Sequence, residues 1–419
     1  MYIITLALKS ILNRRSTVLL TIVSLALSVM LLIGVERLRA DMRESFANTL
    51  SGTDLVVGAR SGSVQLLLYS VFRIGNPTNN VSWESYQDIR SHKLVAWTVP
   101  LSLGDSHRGF RVLGTTPDYF RHYQYGRGEA LRVGRGEMFD GLYDAVIGAD
   151  VARELEYEIG QEIVLAHGAG DVSFVEHDDK PFRVVGILER TGTPVDRTVH
   201  VSLAAIEAIH LGWENGAPVP GRQTVPIKPG KQDLEPKTIT AVLVGLKSRI
   251  AAFRVQRYIN EYREEPLLAV LPGVALQELW DTLGVARQAL LAISALVVLV
   301  GISGMTTTIL TGLNERRREM AVLRSVGARP WHIFVLIVGE SGVVMLIASA
   351  LGVGALYAVQ WIAHPFIQSA FGLSLPVHGL SSHEWKLLAA ALTAGLLVGL
   401  VPAYRAYRYS LADGMTIRI

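Results

Sequence analysis

Four apolar runs in this chain are long enough to cross a bilayer, and charged segments lie between them. The first is Thr17 to Val35, 19 residues with no charge. At ~1.5 Å rise per residue it extends roughly 28 Å as a helix, close to the hydrocarbon thickness of a membrane. The second is Ala289 to Leu313. The third is Ile333 to Ile362, broken by one carboxylate, Glu340. The fourth is Leu387 to Ala403, closed by Pro402. Between the first and second runs the pattern changes. Short β-like runs and amphipathic stretches, separated by turn signals, fill about 250 residues, enough for one large or two small soluble domains.

Basic residues fix the orientation. Lys9, Arg14 and Arg15 precede run one, an arginine cluster joins runs two and three, and Arg405, Arg408 and Arg418 follow run four. The connection between runs three and four, HPFIQSAFGLSLPVHGLSSHEWK, holds no Arg and one Lys. Short basic loops stay cytoplasmic, so both termini are expected inside and the 250-residue segment outside. The opposite topology would carry arginines across, at roughly 2.5–3.5 kcal/mol for each one mid-membrane. Run one is read as an anchor. It is longer than a signal-peptide core and passes into GVERLRADMRESF without a small-x-small cleavage pattern.

The outer segment shows an internal echo. TDLVVGA (strand), WESYQDIRSH (helix) and KLVAWTVPLSL (strand) come near its start. TITAVLVGL (strand), RIAAFRVQRYINEYREE (helix) and LLAVL (strand) come near its end. Two β-α-β units predict a split, ferredoxin-like α+β domain. The stretch between them, about 104–221, carries FRVLGTT, DAVIGAD, EIVLAHG, FRVVGILER and TVHVSL, and reads as a mostly β inserted subdomain. The expected layout is a cytoplasmic segment 1–16, span one at 17–35 and the outer domain at 36–287. Span two follows at 288–313, a cytoplasmic connector at 314–330 and span three at 331–362. An outer loop at 363–385, span four at 386–404 and a tail at 405–419 complete it.

Composition agrees with this division. Of 419 residues half are hydrophobic and 18% charged, and the mean hydropathy is +0.32. That is too apolar for a soluble protein and too charged for a bare helical bundle. The net charge of +3 is small and its basic residues sit at the ends of apolar runs, so nucleic acid is not a needed partner. Cysteine is absent, which excludes thiolate metal sites and disulfides. No phosphate loop, nucleophile elbow, H-E-x-x-H or dinucleotide fingerprint is present, so no catalytic residue is assigned and no cofactor is expected on this chain.

The connector NERRREMAVLRSVGARP, Asn314 to Pro330, has its own physics. Arg316, Arg317, Arg318, Arg324 and Arg329 outnumber Glu315 and Glu319. Met320, Leu323 and Gly327 recur at spacings of three and four, giving an apolar stripe on a short helix. Gly327 can end that helix, and Pro330 prevents simple continuation. Physics alone leaves two readings: arginines on anionic headgroups of membrane lipid, or a helix docked on a cytoplasmic protein.

ERRREMAVLRSVGAR resembles the hallmark E-R-x-x-E-I-x-x-L-R-x-x-G-A of the FtsX/MacB/LolC family of ABC-transporter permeases. Glu315, Arg316, Glu319, Leu323, Arg324, Gly327 and Ala328 match, with Met320 in place of Ile. The tail resembles the family's P-A-x-x-A-x-x-x-x-P-x-x-A-L-R. Pro402, Ala403 and Ala406 match, while Leu411 replaces the second Pro and Gly414 the usual Ala. The resemblance implies a permease dimer, homodimeric or with a paralogue, bound to a cytoplasmic ABC ATPase dimer that holds ATP and Mg. It implies that Glu315, Arg316, Glu319, Met320, Leu323 and Arg324 contact the ATPase, with Gly327 and Ala328 in a tight turn. It implies a bacterial inner-membrane protein that moves a lipid, lipoprotein, peptide or drug-like substrate, in some branches with a periplasmic adaptor or binding protein. The alternatives are a mechanotransmitter controlling an outer enzyme and a permease for a small ligand such as a metal.

Several residues fall outside these motifs. Glu340 is read as lying near the interface beside a connector arginine, or as a relay of motion. Gly301, Gly304, Gly352 and Gly354 permit close helix contacts. Val64 to Phe72, with Leu66, Leu67, Leu68, Tyr69 and Phe72, is either core or an exposed patch for substrate or partner. His167, His177, Asp178 and Asp179 are read as loop residues, and no metal ligand is assigned.

Overall fold

Strands buried on both faces govern the outer domain, and four-residue burial spacing governs the spans. A computed structural model describes residues 15–168, 175–176, 180–211, 213–214, 217–218, 234–315, 320, 322, 324–325, 327–371 and 377–408. The chain divides into two units, Met1–Asp41 with Leu283–Pro365 and Pro376–Ile419, and Met42–Thr282 with Phe366–Leu375.

The helices used below are α1 (Arg15–Asn48), α2 (Ser63–Ser70), α3 (Trp83–Ser91), α4 (Leu203–His210), α5 (Ala252–Asn260), α6 (Pro272–Glu315), α7 (Pro330–Phe371) and α8 (Ser382–Arg408). Among the described residues four helices, α1, α6, α7 and α8, are long and apolar enough to cross a membrane. All four run past the expected spans at the ends expected to lie outside, α6 from Pro272 and α8 from Ser382. α1 continues past Val35 to Asn48, and α7 continues to Phe371, into the expected loop. The residues before span two are helical and continuous with it, Pro272–Glu315.

In the membrane unit, Leu25, Val29 and Ile33 of α1 recur every fourth residue and face inward. They join Ile302 and Met305 of α6, Val344, Met345 and Ala348 of α7, and Leu388 and Ala391 of α8. Leu20, Leu27, Leu299, Val300 and Leu346 stay exposed on the outer faces, as lipid-facing positions do. Lipid is as apolar as leucine, so close van der Waals fit is what holds such helices together. Gly352 supplies it, since a Cβ there would sit 2.5 Å from the carbonyl oxygen of Ala26. A Cβ at Gly301 would lie 3.1 Å from side-chain atoms of Leu25 and Ser28, a looser approach, whereas Gly304 and Gly354 have open space around them. Glu340 is buried inside this unit.

The outer unit is built on one large sheet. Its strands are β1 (Leu55–Ala59), β2 (Val95–His107), β3 (Phe110–Thr115), β4 (Val133–Gly136), β5 (Asp144–Ile147), β6 (Ala166–His167), β7 (Phe182–Leu188), β8 (Thr198–Ser202), β9 (Ala241–Leu246) and β10 (Leu267–Val270). The order is β10-β1-β9-β2-β3-β8-β5-β7-β4, with β6 paired to the end of β2. The first four strands, with α3 between β1 and β2 and α5 between β9 and β10, form the expected ferredoxin-like repeat. Leu55, Val57, Val242 and Val244 face α3 and α5. Val56, Ala241 and Leu243 face the opposite core. Both faces are covered, which is why these strands read as continuous apolar runs.

The insert is not a detached sheet. β2 is 13 residues long. Its first half pairs with β9 and its second half with β3. The expected boundary at residue 104 therefore falls inside a strand. Phe110, Val112, Ile147, Phe182, Val184, Val199 and Ile206 make the insert's own core. On β8, His200 is fully buried, with Nδ1 3.1 Å from the Val146 carbonyl. Its Nε2 has no hydrogen-bond partner among the described residues. Burial first, and the Arg73 charge second, push the His200 imidazole down to about 3.

Candidate coupling site

The connector's helical face is set by which residues can leave lipid and water. Met320 is buried against Ile333 and Ile337 of α7 and Ala403 and Ala406 of α8. Val322 and Ser325 are exposed, and Arg324 is half-buried. Gly327 then turns with φ +103°, a left-handed value that a side chain would strain. Its N–H reaches the Arg324 carbonyl at 3.0 Å, and Ala328 and Arg329 follow. The Arg329 N–H donates to His332 Nδ1 at 3.0 Å, anchoring the start of α7.

Met320 was assigned to the ATPase contact, but its side chain faces the bundle. An unbranched thioether fills the space left by two alanines of α8. Met320 belongs to the connector motif, and Ala403 and Ala406 to the tail motif, so the two family-like segments meet in one cluster. Glu315 ends α6. Arg316, Glu319 and Leu323 lie outside the described residues.

At the far end of the same unit is a cluster the sequence reading missed. Arg37 of α1 is buried, 1% exposed, as is Glu384 of α8 at 2%. Arg37 Nε donates to Glu384 Oε1 at 2.9 Å and Nη2 to Oε2 at 3.2 Å. Nη1 donates to Gln360 Oε1 at 3.0 Å, and Nη2 also lies 3.3 Å from the Tyr357 hydroxyl and 3.3 Å from the Gly379 carbonyl. Glu384 also accepts from the Ser381 N–H at 2.6 Å, while Ser381 Oγ accepts from the Glu384 N–H at 3.3 Å. That reciprocal pair is a capping box starting α8. The S-x-x-E spacing of Ser381 and Glu384 was a readable signal for it. Asp41, one turn beyond Arg37, accepts from His378 Nε2 at 2.8 Å, and Glu36 bonds Arg39. The Gly379 carbonyl first, and Asp41 second, raise the His378 imidazole above its ordinary value.

The other candidate residues resolve differently. Leu66, Leu67, Tyr69 and Phe72 are buried and Leu68 is half-buried. The substrate-patch reading is therefore corrected. α2 and the residues after it lie in the core that covers the second face of the sheet, with Phe46 of α1 4.4 Å from Phe72 between ring centres. His177, Asp178 and Asp179 lie outside the described residues. His167 instead meets two residues not considered with it, Asp105 and His210. Burial opposes the charge of Asp105, but hydrogen bonds from His167 and His210 overcome it and hold the carboxyl down at about 2.

Two family models match the chain: the MacB-like periplasmic core domain over residues 18–262 and the FtsX-like permease C-terminal over residues 291–411. An uncharacterized ABC transporter permease of Methanocaldococcus jannaschii is 24% identical across 96% of this chain and 93% of its own length. The macrolide export ATP-binding/permease protein MacB of Chromobacterium violaceum is 30% identical over 132 residues, 31% of this chain and 20% of that protein. The periplasmic region of MacB from Actinobacillus actinomycetemcomitans aligns at 10% identity and a TM-score of 0.34, over 56% of this chain and 95% of that one. A membrane-spanning helix and a MacB-like outer domain thus precede three further spanning helices with an FtsX-like match, and the chain belongs to the MacB/FtsX-type family of ABC-transporter permeases.

Proposed function

We propose that this permease couples ATP hydrolysis by a separate cytoplasmic ABC ATPase to motion of its outer domain. That motion drives export or extraction of a lipid, lipoprotein, peptide or drug-like substrate. In this reading the chain works beside a second permease copy or a paralogue in the bacterial cytoplasmic membrane, with both termini inside. ATP and Mg are held by the ATPase. Glu315, Arg316, Glu319, Leu323 and Arg324 grip it, and Met320 passes the movement on.

The observation that carries this reading is the seating of Met320 on Ala403 and Ala406. It ties the connector to the inner end of α8. The outer end of α8 is tied to α1 by the Arg37–Glu384 pair, and α1 runs unbroken to Asn48. A displacement of the connector thus has a contiguous mechanical route outward. The test is pull-down of a co-expressed ABC ATPase on the tagged full chain. Glu319→Ala with Arg324→Ala should reduce the ATPase retained at least several-fold, with membrane insertion unchanged. Met320→Ala should leave retention intact and lower substrate-stimulated ATP turnover. Full retention in the double variant would refute the docking role.

A further inference from the structure

We propose that Asp105, His167 and His210 form a binding site for a divalent transition-metal ion of the zinc class on the outer domain. The topology builds the site from three separate elements. β6 pairs antiparallel with the end of β2, and the register sets His167 directly opposite Asp105. His210 is the last residue of α4. Lys180 Nζ bonds the carbonyl of Ala208 at 2.8 Å at the end of that helix.

The donor atoms converge. His167 Nδ1 lies 3.1 Å from Asp105 Oδ1, His210 Nε2 lies 3.2 Å from His167 Nδ1, and His210 Nε2 lies 3.6 Å from Asp105 Oδ1. A tetrahedral ion with bonds of about 2.0–2.1 Å separates its ligand atoms by roughly 3.3–3.4 Å. The three observed edges bracket that value, so an ion could seat with shifts of a few tenths of an ångström. Two imidazoles and one carboxylate suit zinc and its first-row neighbours and not calcium or magnesium, which take all-oxygen shells.

The orientation of His210 is an independent observation. Its Nδ1 lies 2.8 Å from the Ile206 carbonyl, one helical turn back, and must donate there. On metal binding the ring would give up its Nε2 proton, now shared with Asp105, and present the Nε2 lone pair with Nδ1–H held on the backbone, the tautomer typical of metal-bound histidine. His107, two residues from Asp105, is turned elsewhere, to the Val164 carbonyl and the Tyr157 hydroxyl. Asp105 is buried while the two histidines are a quarter to a third exposed, so one side of the site opens to solvent. Three donors among the described residues equal the protein ligand count of non-structural zinc sites. The site stands on the outer domain's geometry alone and does not depend on the ATPase reading.

The experiment uses the full chain in detergent micelles, stripped with a chelator. Zinc is titrated against a competing chromophoric chelator. One zinc per chain is expected, undisturbed by excess magnesium or calcium. His167→Ala, His210→Ala and Asp105→Asn should each weaken binding by more than the roughly 10–100-fold typical of losing an outer-shell partner. Zinc should also shield both histidines of the unaltered chain from diethyl pyrocarbonate, a readout that needs no variant. Absence of zinc binding, binding unchanged in the His167→Ala/His210→Ala double variant, or modification unaffected by zinc would each overturn the proposal.

Discussion

The sharpest prediction concerns the pair that joins α1 to α8. Glu384→Ala removes the two carboxylate contacts of Arg37 at 2.9 and 3.2 Å and leaves a guanidinium that is 1% exposed. Stranding one partner of a buried ion pair costs about 3–5 kcal/mol. Glu384 is also half of the capping box with Ser381, whose loss adds about 1 kcal/mol. Arg37→Met should cost less, because the orphaned carboxylate keeps the Ser381 N–H at 2.6 Å. Arg37→Met with Glu384→Leu strands no charge, and such apolar replacement is often near neutral. The double variant should therefore be more stable than Glu384→Ala alone, with a coupling energy of about 2–3 kcal/mol. An exposed pair would give about 0–1 kcal/mol.

The assay is denaturant unfolding of the full chain in lipid nanodiscs, followed by tryptophan fluorescence, across the double-mutant cycle Arg37→Met, Glu384→Leu. Additive losses, with coupling below about 0.5 kcal/mol, would refute the buried pair. So would Arg37→Met and Glu384→Ala each behaving as surface substitutions, within about 0.5 kcal/mol of the unaltered chain.

Two further outcomes are expected. His200, held down at about 3 by burial and by Arg73, should make the outer domain acid-labile. Between pH ~6.5 and ~3 the unfolded chain binds a proton there that the folded chain does not, so stability is present at high pH and falls by about 1.4 kcal/mol per unit as pH drops. His200→Gln should flatten that slope by one proton in denaturation series at pH 7.5 and 5, and an unchanged slope would refute the assignment. The chain has no cysteine, so Ser91→Cys and Ser325→Cys, both at exposed positions, report topology cleanly. An impermeant thiol reagent should label Ser91→Cys in intact spheroplasts and spare Ser325→Cys, and the reverse pattern would invert the membrane orientation.

Local pattern carried much of the fold and little of the site. The spans follow from uncharged length, and the ferredoxin-like repeat from two strand-helix-strand units, because both signals lie within a few neighbouring residues. The role of Val64 to Phe72 depended on a second face of the sheet needing cover, which no local window contains. Met320 reads as part of an apolar stripe, yet whether that stripe meets lipid, ATPase or bundle depends on Ala403 and Ala406, more than 80 residues away. Asp105, His167 and His210 are united by one strand register and one helix end. His167 was weighed instead with its neighbours in sequence, although the residues that meet it are 43 and 62 positions away.

If the permease couples as proposed, the Arg37–Glu384 pair would serve as a register device as well as a structural contact. Apolar helix faces tolerate sliding, because one turn of displacement, about 5.4 Å, brings equivalent side chains back into contact. A buried ion pair does not, since a one-turn slip would strand both charges at several kcal/mol each. The stretch of α1 that holds Arg37 lies between the bundle contacts at Leu25, Val29 and Ile33 and the helix end at Asn48. A force arriving along α8 would dissipate there if the two helices could slip. Fixing them by charge, with Gln360, Tyr357 and Gly379 also accepting from the guanidinium, would make movement of one helix end movement of the other. Arg37→Met with Glu384→Leu would then restore stability without restoring substrate-stimulated turnover, which separates holding the fold from transmitting motion.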